Sequence, residues 1–107
     1  MEQYRSCIDA CLRCADICNY CASSCTKEEH VKMLVRCIQL DFECATICYV
    51  TAQMMSLGSA KAIDLCQVCA DICIVCAYEC GKQDTVHCKA CAKVCHECAE
   101  ECRKIAA

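Results

Sequence analysis

The sequence contains no tryptophan and no proline, and only two glycines, Gly58 and Gly81, in 107 residues. Scaffolds built from turns need such residues to reverse the chain, so a collagen-like, loop-rich or knottin-like protein is excluded. Positive charge is not concentrated. Eleven lysines and arginines stand against 14 acidic residues, a formal net charge of −3, and no basic cluster could neutralise a row of phosphates. Nucleic acid is therefore not an expected partner. Long apolar runs are also missing. The longest stretch free of charge and histidine, residues 44–60, has 17 positions and includes Thr46, Thr51, Gln53, Ser56, Gly58 and Ser59, too short and too polar for a membrane span. The first residues, Met1 to Cys7, hold no apolar segment and are soon followed by Asp9, so no signal peptide is expected and the expected location is cytoplasmic. No Ser/His/Asp set and no carboxylate pair with a pocket can be named, so no enzymatic activity is expected.

What is present in excess is cysteine: 19 of 107 residues, about 18 %. In a reducing compartment that abundance points to metal binding or redox chemistry rather than to a disulfide framework, and the odd count agrees. The spacing is regular. Cys7, Cys11, Cys14, Cys18, Cys21 and Cys25 step by 4, 3, 4, 3, 4. Cys66, Cys69, Cys73, Cys76 and Cys80, and again Cys88, Cys91, Cys95, Cys98 and Cys102, step by 3, 4, 3, 4. Alternating threes and fours average 3.5, the seam of a helix that faces a bundle interior. A middle segment keeps that register with replacements: Leu34, Cys37, Asp41, Cys44, Cys48, Thr51, Met55.

The pattern predicts one domain, residues 1–107, with helices over about 3–25, 29–57, 60–80 and 85–104. Gly81 is the expected C-cap of the third helix, Ser59 its N-cap, and Asp84-Thr85 the start of the last helix. Short connections force antiparallel neighbours, so the expected fold is all-α, an up-down-up-down four-helix bundle with a cysteine-lined core. Outward positions on helices two and three carry Val35, Phe42, Tyr49, Val68, Ile74 and Val75, which predicts burial against further copies of the chain.

Side chains three or four residues apart on a helix lie about 5–6 Å apart at Cβ, so adjacent seam thiols can converge on one ion. Zinc prefers closed sites of four ligands and its Cys pairs usually sit on turns, while iron–sulfur clusters take sets of four cysteines in loop spacings. A continuous ladder does not divide into fours. Copper(I) is soft and selected by thiolate and thioether, and a bridging thiolate serves two ions, so the ratio of metal to thiolate approaches one. Each bound Cu(I) displaces one thiol proton and leaves a neutral unit, whereas a divalent ion at that ratio would charge the interior. Buried thiols keep raised pKa values and behave as small hydrophobes, so the metal-free bundle is expected to fold.

The segments CIDACLRCADICNYCASSC and CHECAEEC, the scarcity of glycine and proline, and the chain length resemble the bacterial copper storage proteins, cysteine-rich four-helix bundles. The resemblance extends over essentially the whole chain. It implies a cytosolic member that stores many Cu(I) ions inside the bundle and associates as a homotetramer, since exported relatives carry a twin-arginine signal that is absent here. It carries over the seam cysteines from Cys7 through Cys102 as ligands. The expected partners are copper ions, further copies of the chain and a copper chaperone.

Asp41 falls at an inward position, where a lone carboxylate is costly unless paired, protonated or metal-bound. His87, beside Cys88, and His30, at an inward position of the expected second helix, mark the end through which Cu(I) is expected to pass; Met54 and Met55 lie at the opposite end. His96 faces outward and is read as a solvated side chain. Two alternatives remain at this point: a zinc or cadmium thiolate buffer, and a thiol–disulfide redox protein using one Cys-x-x-Cys pair.

Overall fold

A computed structural model describes residues 2–107. Its four α-helices are α1 (Arg5–Cys25), α2 (Val35–Ser56), α3 (Ala62–Gly81) and α4 (Val86–Ala106), with 3-10 turns at Glu2–Tyr4 and Val31–Leu34. Each of α1 and α3 packs against both α2 and α4, which closes the helices into a ring, an antiparallel four-helix bundle of 44 × 19 × 17 Å. No helix among the described residues is long and apolar enough to cross a membrane.

The seam positions decide the packing. Every seam cysteine is buried, and small residues flank the stripe: Ala10, Ala15 and Ala22 on α1, Ala45 and Ala52 on α2, Ala70 on α3 and Ala99 on α4. Small flanks let the backbones approach, so thiols from facing helices meet along the bundle axis in place of larger aliphatic side chains. Ile8, Leu34, Leu40 and Met55 supply the few large buried aliphatic side chains.

Chain reversal departs from the expectation in three places. The second helix starts at Val35, not near residue 29, because residues 26–34 form turns and a 3-10 segment that brings Leu34 inside with no exposure. His30 thus precedes that segment and is not on an inward helical position. Gly81 is the last residue of α3 and keeps helical geometry; an added Cβ there would lie 3.8 Å from the Ala92 Cβ, and its carbonyl accepts a hydrogen bond from Lys89 Nζ at 2.6 Å. Gly58 is the glycine that a left-handed turn requires, with φ of 66°. Its N–H donates to the Met55 carbonyl at 3.1 Å and the Ser59 N–H to the Met54 carbonyl at 3.0 Å, a Schellman closure of α2. Ser59 Oγ accepts from the Lys61 N–H at 3.1 Å, one turn ahead of α3, whose N-cap is Lys61. Thr85 caps α4 as expected, its Oγ1 accepting from the Cys88 N–H at 3.2 Å.

Candidate metal centre

The sulfurs line the bundle axis in a column. At the end where α2 finishes, Cys7 and Cys102 lie 3.6 Å apart, Cys102 and Cys11 3.8 Å, and the Cys66 thiol meets Met55 Sδ at 3.7 Å. In the middle, Cys44 contacts Cys73 at 3.5 Å and Cys14 at 3.7 Å, Cys48 contacts Cys69 at 3.7 Å and Cys98 at 3.9 Å, and Cys95 joins Cys14 at 3.7 Å and Cys18 at 3.6 Å. Cys91 continues to Cys18 at 3.8 Å, and Cys76 to Cys80 at 4.0 Å. At the other end Cys88 touches Cys25 at 3.7 Å and Cys21 at 3.8 Å. Cys37 donates to the Glu79 carbonyl at 3.7 Å. All 19 cysteines are free thiols.

Convergent sets of four donors overlap. Cys14, Cys44, Cys48 and Cys73 form one set within 4.8 Å; Cys14, Cys18, Cys44 and Cys95 form another; Cys18, Cys76, Cys91 and Cys95 a third. Cys14 and Cys44 belong to the first two sets and Cys18 and Cys95 to the last two, so these sulfurs can bridge neighbouring ions, while Cys11, Cys69, Cys98 and Cys102 form a further set that shares no sulfur with them. Burial pushes the Cys37 and Cys66 thiols up to about 12 and raises that of Cys88 as well. In the absence of metal these thiols stay protonated and unreactive.

Asp41 is buried in this column with no exposure. Its Oδ1 accepts from the thiols of Cys76 and Cys91 at 3.3 Å each and of Cys80 at 3.6 Å. Burial, reinforced by the Cys76 sulfur, raises its pKa to about 10, so it is a neutral carboxylic acid at pH 7. Its Oδ2 has no hydrogen-bond partner among the described residues. Thr51, the other polar seam residue, donates from Oγ1 to the Leu65 carbonyl at 3.5 Å.

His87 does reach the thiols. Its Nδ1 lies 3.6 Å from the sulfurs of Cys21 and Cys88 and 3.9 Å from that of Cys25, with 13 % of the side chain exposed. His30 does not join this cluster: it is exposed, with Nδ1 3.9 Å from Glu28 Oε2. Glu28 is the residue that the sequence left unmarked. Its Oε1 lies 3.4 Å from His87 Nε2, so one carboxylate spans both histidines. Nothing local announces that pairing, since residues 28 and 87 meet only when α4 returns beside the end of α1. His96 is exposed and pairs with Glu100 at 3.5 Å.

Fold and column together define a thiol-lined helical bundle for soft metal ions. The sequence matches the copper storage protein family over residues 1–107. It is 48 % identical over 88 residues to the uncharacterised cysteine-rich protein YhjQ of Bacillus subtilis, spanning 81 % of this chain and 82 % of that one. The Cu(I)-bound copper storage protein BsCsp3 of Bacillus subtilis superposes with a TM-score of 0.95 at 46 % identity, covering 98 % of this chain and 99 % of the other. A cytosolic copper storage protein of Streptomyces lividans holding five coppers gives 0.94 at 34 % identity over 98 % and 92 % of the two chains. The chain belongs to the copper storage protein family. It is a metal store built on a cysteine-lined bundle, not an enzyme.

Proposed function

We propose that this chain holds Cu(I) along the whole column at close to one ion per thiolate, with the 19 seam cysteines from Cys7 to Cys102 as ligands. The observation that carries the reading is that single sulfurs touch several others, Cys44, Cys48 and Cys95 each lying within 4.0 Å of at least three, which places them to bridge ions. Asp41 takes part through the oxygen that faces Cys76, Cys80 and Cys91. Cu(I) passes through the end ringed by His87, Cys21, Cys25 and Cys88, with His30 at its outer rim. Delivery by a copper chaperone and a cytoplasmic location complete the reading; the cytosolic relative of Streptomyces lividans supports the latter.

Self-association into a homotetramer belongs to the same proposal. Val35, Phe42, Tyr49 and Val50 on α2 and Val68 and Val75 on α3 are exposed, an apolar face that a second copy would cover. A monomer mass by light scattering at micromolar concentration would remove this part.

Titration with Cu(I) against a competing chelator, without oxygen, tests the storage reading. A stoichiometry close to the number of thiols supports it. A quarter to a half of that number would indicate four-coordinate zinc-like or cadmium-like sites, and little binding with rapid disulfide exchange at one pair would indicate redox chemistry.

A further inference from the structure

The mouth differs from the rest of the column in donor set and in shape. Cys21, Cys25, Cys88 and His87 Nδ1 all lie within 4.8 Å of one another, three sulfurs and one nitrogen. None of them belongs to the three overlapping sets in the interior described above. A tetrahedral ion with metal–sulfur bonds of about 2.3 Å and metal–nitrogen bonds of about 2.0 Å requires S···S edges of about 3.8 Å and N···S edges of about 3.5 Å. Cys88 lies 3.7 Å from Cys25 and 3.8 Å from Cys21. The Nδ1 to sulfur edges are 3.6, 3.6 and 3.9 Å. Five of the six edges of that tetrahedron are thus within about 0.4 Å of the required lengths, and the sixth, Cys21 to Cys25, is within 4.8 Å.

Two neighbouring features make the set better suited to a divalent ion than the interior is. A carboxylate oxygen can only accept, so the contact of Glu28 Oε1 with His87 Nε2 at 3.4 Å keeps the ring proton on Nε2 and leaves the Nδ1 lone pair facing the sulfurs. A carboxylate behind a histidine is the arrangement that orients imidazole toward zinc. Cys88 also sits in the first turn of α4, where the helix N-terminus favours a thiolate. Three thiolates and a neutral imidazole around a 2+ ion leave one negative charge. An interior set of four thiolates would leave two.

We propose that Cys21, Cys25, Cys88 and His87, oriented by Glu28, form a tetrahedral site for a single Zn(II) ion in the copper-free protein. Bound there, the ion pins the end of α1 to the start of α4 and closes the mouth. This goes beyond copper storage, and Cu(I) titration of the zinc-free protein tests that reading separately.

The experiment is anaerobic titration of the full-length, metal-free chain with Co(II) as a spectroscopic stand-in, followed by Zn(II) against a chelator. The first equivalent of Co(II) gives intense visible bands of a tetrahedral three-sulfur, one-nitrogen site, and Zn(II) abolishes them at one equivalent. His87→Ala and Cys25→Ser each remove or shift those bands while circular dichroism stays helical. Glu28→Gln keeps the band shape and weakens binding by about ten- to a hundredfold. Absence of a saturating first equivalent overturns the proposal. Bands unchanged in His87→Ala overturn it as well, since the ion would then sit among interior thiols.

Discussion

The two ends of the sulfur column are built on the same seam period and finished differently. At the end where α2 stops, Cys7 contacts Cys102 and Cys66 meets Met55, which is 1 % exposed. That end is dry and closed by packing. At the other end three thiols face an imidazole that a carboxylate holds from outside, and the nearby His30 and Glu28 are in contact with solvent. The difference teaches that a repeat of cysteines sets capacity, whereas polar residues outside the repeat set the place where an ion can exchange with water. Neither end is distinguishable from the cysteine spacing alone.

Substitutions at the two ends should therefore produce opposite phenotypes. The largest effect on stability is expected at the dry end. Met55→Ala removes a fully buried side chain and should cost about 2–5 kcal/mol in chemical denaturation of the metal-free protein, whereas His87→Ala should stay within about 0.5 kcal/mol of wild type. Similar losses for the two variants would break the comparison.

Asp41 should give the next largest effect. Its folded pKa of about 10 lies above the ordinary carboxylate value of 3.8, so the folded state binds a proton that the unfolded chain releases at neutral pH. The sign follows: the contribution of the buried acid is complete below pH 3.8 and is lost as pH rises toward 10. Metal-free wild type should lose on the order of 3–4 kcal/mol between pH 4 and pH 7 from this group alone. Asp41→Asn should remove that slope and be the more stable protein at pH 7, with the gap closing near pH 4. Parallel pH profiles for the two proteins would show that the carboxyl is not held neutral.

The smallest effect is kinetic. His87→Ala should slow Cu(I) uptake by about tenfold, roughly 1.4 kcal/mol in barrier, while the conservative Met55→Leu leaves the rate unchanged. Stopped-flow loading from a Cu(I) chelate complex measures both, and equal rates would mean that the two ends do not differ as entrances.

The bundle was legible because a step of three and four residues places every thiol on one stripe, and α1, α3 and α4 follow it without interruption. The start of α2 was not, because residues 27–34 carry neither a capping signal nor a break in the register, and only the need to turn the chain and bury Leu34 delays the helix to Val35. Gly58 and Gly81 look alike in sequence. The structure requires the first for its positive φ, whereas a Cβ at the second would make only an ordinary contact with Ala92. Asp41 was legible as an inward carboxylate, but not the three thiols that donate to it from α3 and α4. Glu28 had no local signal at all, since its role exists only beside His87, 59 positions away.

Filling of the column by ions that share sulfurs has a direct structural signature. A crystal structure of the fully Cu(I)-loaded protein with copper anomalous scattering tests it most directly. Shared sulfurs should give a file of copper peaks along the bundle axis, close in number to the thiols, with most sulfurs bonded to two ions. A few isolated peaks, each held by four cysteines that no other ion touches, would contradict it.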